Sequence, residues 1–169
     1  EEQKILATGV YGTNLVKVDG NYDDVNRLCT EISGEHDSWA FVNVNMRPYY
    51  AEGSKTLAYE IAEQLGFTTP GQIVAPIASG SLFGKIAKGF DEWLGLGLIE
   101  GETPAMHGAQ AAGCSPVATA FAEGTDVCRP VKPDTIAKSL AIGNPADGPY
   151  AVELANNTGG SVSAVTDDE

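Results

Sequence analysis

Basic residues are the scarcest feature of this 169-residue sequence. Three arginines and seven lysines stand against 23 acidic residues, a net charge of −13. No basic face is available to neutralise nucleic-acid phosphates, so DNA and RNA are excluded as expected partners. Cysteine is nearly as rare: Cys29, Cys114 and Cys128 are odd in number, far apart and outside any CxxC pattern. Such spacing argues against a disulfide scaffold and against a zinc site, and no metal is expected. No apolar run approaches the ~20 residues a bilayer span needs, and no basic-then-apolar signal segment opens the chain. No membrane association and a reducing, cytoplasmic setting are the expectation. There is no initiator Met at Glu1, and the trio Asp167, Asp168 and Glu169 reads as the first turn of a further helix, so a piece of a longer polypeptide is expected.

What is present is ordinary for a folded domain: 43% hydrophobic and 20% charged residues. Apolar Val/Ile runs alternate with helical periods, the mark of βα units around a mostly parallel open sheet, hence the α/β class. The pattern predicts strands over 15–18 and 39–44, with a helix over 22–33 between them whose apolar face is Val25, Leu28, Cys29 and Ile32. A helix over 52–65 follows, with Leu57, Ile61 and Leu65 on one face and Gly66 ending it. Residues 72–77 form a nearly all-apolar strand, expected to be covered on both faces. Beyond it the reading is a helix over 82–96, a strand over 105–111, and a helix over 116–122 capped by Ser115. Short helices over 135–141 and 150–157 and a strand over 161–165 complete it.

Three constellations can carry chemistry. The strand over 72–77 runs into Ala78, Ser79, Gly80, Ser81 and Leu82 and then a helix. Small residues admit close backbone approach, and free amides at a helix start favour an anion such as phosphate. Neither GxxxxGK[ST] nor GxGxxG spacing is present, and a small-residue βα turn is often a tight connection and nothing more. The second is Asn43 to Tyr50, where Arg47 with its Asn and Tyr neighbours suits a phosphate or carboxylate, or else marks a linker between two lobes. Glu52 and Lys55 behind it have the spacing of a solvated pair. The third is Lys138 to Pro145, in which Gly143, Asn144 and Pro145 form a turn. His107 reads as a packing residue and His36 as exposed; neither has a partner set for a catalytic triad.

Taken together, five stretches resemble the threonine synthases: 18–24 (VDGNYDD), 47–56 (RPYYAEGSKT), 76–82 (PIASGSL), 108–116 (GAQAAGCSP) and 135–145 (TIAKSLAIGNP). The resemblance implies a two-lobed, tryptophan-synthase-β-like architecture, fold type II among pyridoxal-phosphate enzymes. On that footing residues 1–46 end the small lobe and 47–169 form the central part of the large, cofactor-binding lobe. The implied reaction turns O-phosphohomoserine and water into threonine and phosphate, with pyridoxal 5'-phosphate as the electron sink. Ala78, Ser79, Gly80, Ser81 and Leu82 would bind the cofactor phosphate, Gly143 and Asn144 would lie near its ring, and Asn45, Arg47 and Tyr50 would meet the substrate. Many relatives carry the arginine where this chain has Tyr50. The lysine that carries the cofactor in that family belongs to a segment upstream, so no catalytic residue is assigned here and these residues alone are expected to be inactive. A threonine or serine dehydratase and a non-catalytic phosphate-binding module are the other readings, and self-association into a homo-oligomer fits a half-covered sheet.

Overall fold

The computed structural model of the chain describes residues 2–44 and 46–168. Among these, seven α-helices and three strands follow one another: α1 (Glu2–Val10), α2 (Tyr22–Glu35), α3 (Arg47–Glu52), α4 (Thr56–Gln64), β1 (Gln72–Pro76), α5 (Ser81–Gly95), β2 (Ala105–Ala111), α6 (Pro116–Ala122), α7 (Gly148–Asn157) and β3 (Ser161–Val165). The strands form one parallel sheet in the order β1-β2-β3, with Ala75 beside Gly108 and Gly108 beside Val162. This is the α/β class expected, with helices supplying the crossovers that parallel strands need.

Core and sheet share one face. Met106, Gly108 and Gln110 of β2 point to it, and α5 meets them with Phe83, Ile86, Ala87 and Phe90. Those positions recur every three or four residues, so α5 has a single apolar stripe, and Phe83 at 0% exposure stands at its N-terminal end. Ala58 and Ala62 of α4, Val117 of α6 and Val152 of α7 complete the cluster. Each large side chain so buried contributes about 1.5–3 kcal/mol.

Gln110 is buried in this apolar setting and uses both ends of its amide. Its Oε1 accepts from Val117 N at 2.9 Å and Ala118 N at 3.0 Å, and its Nε2 donates to Ile77 O at 3.4 Å. The start of α6 is therefore satisfied from β2. Ser115, expected to cap it, instead donates its hydroxyl to Ala112 O at 3.3 Å.

Other expectations also change. β1 is not covered twice: Gln72, Val74 and Pro76 face outward, and Val74 is 74% exposed. Residues 15–18 and 39–44 form no strand, since a strand needs a ladder and no partner runs beside either segment among the described residues. The helix over 52–65 is broken by a 3-10 turn at Gly53–Lys55, and that over 135–141 shrinks to the 3-10 turn Lys138–Leu140. At the end of the described residues Asp167 lies in a turn. Its carboxylate accepts from Thr135 Oγ1 at 2.5 Å and Ile136 N at 2.9 Å, fastening the segment before that turn. Among the described residues no helix is long and apolar enough to cross a membrane.

Candidate functional site

The site is built where β1 ends and α5 begins, the carboxyl edge at which open α/β sheets bind ligands. Gly80 turns the chain with φ +97, and a Cβ there would lie 2.7 Å from Asp147 O, so both conformation and space require glycine. The side chain of Gly80's neighbour Ser79 offers its Oγ to Ser81 N at 3.4 Å, a long contact. Among the described residues no side chain caps α5. A fifteen-residue helix thus presents its positive end to this edge with its first turn uncapped.

Other segments converge on the loop. Asp147 N donates to Ser79 O at 2.8 Å, tying the approach to α7 against it. Arg47, at the start of α3, places Nη2 on the Asp147 carboxylate. On the far side Asn21 caps α2 by accepting from the amides of Asp23 and Asp24, while the Asp24 carboxylate returns to Asn21 N at 3.0 Å. Because Asn21 and Asp24 satisfy the helix start between them, the Asp23 carboxylate reaches across the fold to accept from Gly143 N at 3.1 Å. Gly143 O accepts from Val131 N at 3.0 Å, and a Cβ on Gly143 would lie 1.9 Å from Val131 O. That turn is pinned on both sides and admits no side chain.

Two cavities meet at Arg47. The larger, of about 460 Å³, is lined by Arg47, Gly80, Ser81, Lys85, Asp147 and Tyr150 among others. The smaller, of about 60 Å³, has Arg47, Tyr50, Ser79 and Asn144 in its wall together with Tyr22 and Asn43. So Arg47, Tyr50, Ser79, Gly80, Ser81 and Asn144, picked from separate stretches of sequence, share one neighbourhood. Ala78 and Leu82 flank the loop, Gly143 lies behind Asn144, and Asn45 falls outside the described residues. His107 belongs to the sheet instead, with Nδ1 3.0 Å from Ser161 Oγ. Sequence reasoning missed Asp23, Tyr22 and Asp147 as members. The only local signal for Asp147 was a helix-start pattern, Asp-Gly-Pro, which says nothing of Arg47.

Electrostatics are set by a second cluster next door. Glu52 accepts from Lys55 at 2.7 Å, Lys85 at 2.5 Å and Lys88 at 2.9 Å, and Lys55 also reaches Glu92 at 2.7 Å. This is a network joining α3 and the 3-10 turn after it to α5, in place of the solvated pair expected. Hydrogen bonds from the three lysines hold the Glu52 carboxyl far below the usual carboxylate range, and the bond to Glu52 pushes the Lys55 and Lys88 amines up. These amines stay cationic, the opposite of what a nucleophilic lysine requires. Burial, reinforced by Tyr50 and Asp23, raises the Tyr22 phenol despite the nearby Arg47. Burial likewise raises the Cys114 and Cys128 thiols, leaving them poor nucleophiles.

An uncapped helix start, a glycine turn held tight by its neighbour and an adjacent arginine-lined cavity are, on an α/β domain, features that suit a phosphorylated small molecule. The family model for pyridoxal-phosphate dependent enzymes matches residues 1–169, and the chain belongs to that family. The family's cofactor is pyridoxal 5'-phosphate, whose phosphate the loop fits on the grounds just given. The chain is 35% identical to the threonine synthase of Methanocaldococcus jannaschii over 167 residues, 98% of this chain and 40% of that protein. It is 33% identical to the threonine synthase of Mycobacterium bovis over 166 residues, 98% of this chain and 43% of that one. The chain therefore spans less than half the length of these relatives. Among solved structures it superposes on maize serine racemase with TM-score 0.64 at 19% identity, covering 98% of this chain and 48% of that one. For a threonine deaminase of T.th. the TM-score is 0.67 at 16% identity, over 99% and 52%. Both likenesses speak for the fold.

Proposed function

We propose that this chain is the cofactor-phosphate and substrate-phosphate part of a threonine synthase, with residues 1–46 ending the small lobe and 47–169 belonging to the large one. In this reading the whole protein converts O-phosphohomoserine and water to threonine and inorganic phosphate. When bound, pyridoxal phosphate supplies an electron sink for bonds at the substrate's α-carbon. The residues of this chain contribute by position. The first turn of α5 and the hydroxyls of Ser79 and Ser81 hold the cofactor phosphate, and Asn144, fixed through Gly143, stands beside the ring. Arg47 and Tyr50 face the substrate, Arg47 as a fork suited to a phosphate. The protein acts as a cytoplasmic enzyme of amino-acid biosynthesis, a carbon-oxygen lyase.

The observation that carries the reading is that Arg47 lines both cavities beside the loop. A dehydratase acting on free threonine or serine has no substrate phosphate for such a group to hold. The relatives named above, each a threonine synthase matched over 98% of this chain, support the same choice. The test compares substrates in the whole protein. Phosphate release from O-phosphohomoserine is expected, with kcat/KM falling about 100-fold in Arg47→Ala, the loss of two charge-assisted hydrogen bonds. Deamination of free threonine without turnover of the phosphorylated substrate would overturn it in favour of the dehydratase.

A further inference from the structure

The carboxylate of Asp147 is the feature that a phosphate site does not call for, because it places negative charge beside the loop. Asp147 is held by three different parts of itself. Its N–H donates to Ser79 O, its carbonyl occupies the space over Gly80, and its carboxylate rests on Arg47. The residue stands at the N-cap of α7, yet its side chain makes no capping bond there. An aspartate at that position ordinarily satisfies its own helix; this one is turned to the arginine.

The other cations of the larger cavity are engaged in the same way. Lys85 and Lys88 are both held by Glu52, and Lys88 lies 3.5 Å from Glu92 as well. An arriving phosphate therefore meets an uncapped helix start but finds Arg47 already committed. Glu52 lies in a network of three lysines, so withdrawing one leaves the others paired. Among the described residues Arg47 and Asp147 form a one-to-one contact that a single stronger anion can exchange.

We infer that Asp147 is the resident counter-ion of Arg47, which a phosphorylated ligand must displace, so that its charge sets how tightly the site takes phosphate. This rests on the phosphate-site reading proposed above. It also carries a consequence that an orienting role lacks. Were Asp147 there to aim Arg47, neutralising it would weaken phosphate binding; as a competitor, neutralising it tightens binding.

The experiment follows the thermal unfolding midpoint of the whole protein against inorganic phosphate at constant ionic strength. The proteins compared are the wild type, Asp147→Asn, Asp147→Ser, Arg47→Gln and the double variant Arg47→Gln/Asp147→Asn. Asn and Ser both suit a helix start, so at least one folded variant is secured. Both neutral variants are expected to bind phosphate about tenfold more tightly, as removal of one nearby like charge implies, and the gain is expected to vanish in the double variant. Unchanged or weaker phosphate binding in the folded neutral variants would overturn the inference, as would a gain that survives without Arg47. Binding of pyridoxal phosphate to the wild type, read by its absorbance, separates the two levels. Cofactor binding without the gain defeats the counter-ion alone; a protein that binds neither cofactor nor phosphate defeats the phosphate site with it.

Discussion

The N-terminal and central parts of the chain are held by different forces. No residue of α1 or α2 is buried, although α2 carries a clear apolar face and a complete capping box. Helix α5, of nearly the same length as α2, buries Phe83, Ile86, Ala87, Gly89 and Phe90. Local signals of similar quality thus give one helix tied by packing and another tied by polar contacts. Those contacts lie at the candidate site: Tyr22 to Asn43 within the N-terminal region, and Asp23 to Gly143 from it to the rest of the fold. The site is therefore also the seam by which the N-terminal region is attached.

The largest expected effect tests that contrast directly. Phe83→Ala empties a fully buried position of the core and is expected to cost about 3–5 kcal/mol in denaturant unfolding. Leu28→Ala removes an apolar side chain of α2 that is 37% exposed, and a loss under about 1 kcal/mol is expected. Equal losses would show that α2 is packed as firmly as α5, and the contrast would fail.

A smaller effect is expected at the seam. Asp23→Ala removes the acceptor of the Gly143 amide and is expected to cost about 1 kcal/mol, the scale of one hydrogen bond. Hydrogen exchange at Gly143 should quicken while the amides of α5 stay protected. Asp23→Asn keeps an acceptor oxygen and should restore most of that protection. Exchange at Gly143 that ignores both changes would remove Asp23 from the seam.

What the sequence reading found and missed divides along the same line. β2 and β3 appear with the bounds expected, because a short run between helical segments, closed by turn residues, is a local signal. The glycine turn at Gly80 was legible for the same reason: small residues between a strand and an amphipathic run admit few geometries. The segments at 15–18 and 39–44 have strand-like residues, but a strand exists only with a neighbour, and that is decided outside the segment. Arg47 was singled out by its type and company. Its partner Asp147 is 100 residues away and Asp23 lies 120 from Gly143, so nothing local announces either pair. Gln110 shows the same limit, since a buried amide that caps a helix from a strand resembles any other polar residue in an apolar run.

The smallest effect concerns Asp167, which holds the segment leading to Gly143 from its other end, again by polar contacts alone. Hydrogen bonds from the Thr135 hydroxyl and the Ile136 amide, with the charge of Lys138 nearby, lower its carboxyl below the ordinary 3.8. A carboxyl lowered on folding stabilises the fold above its unfolded pKa, and that contribution fades as pH falls through the folded value. The window therefore lies below about pH 4. An NMR titration of the Asp167 carboxyl is expected to show a midpoint under 3.8, and in Thr135→Val the midpoint should rise toward that value. A midpoint that stays put when the hydroxyl is gone would mean that the Thr135 contact does not hold the segment. The turn before Asn144 would then depend on Asp23 and Val131, and the polar seam would be narrower than the contrast with α5 requires.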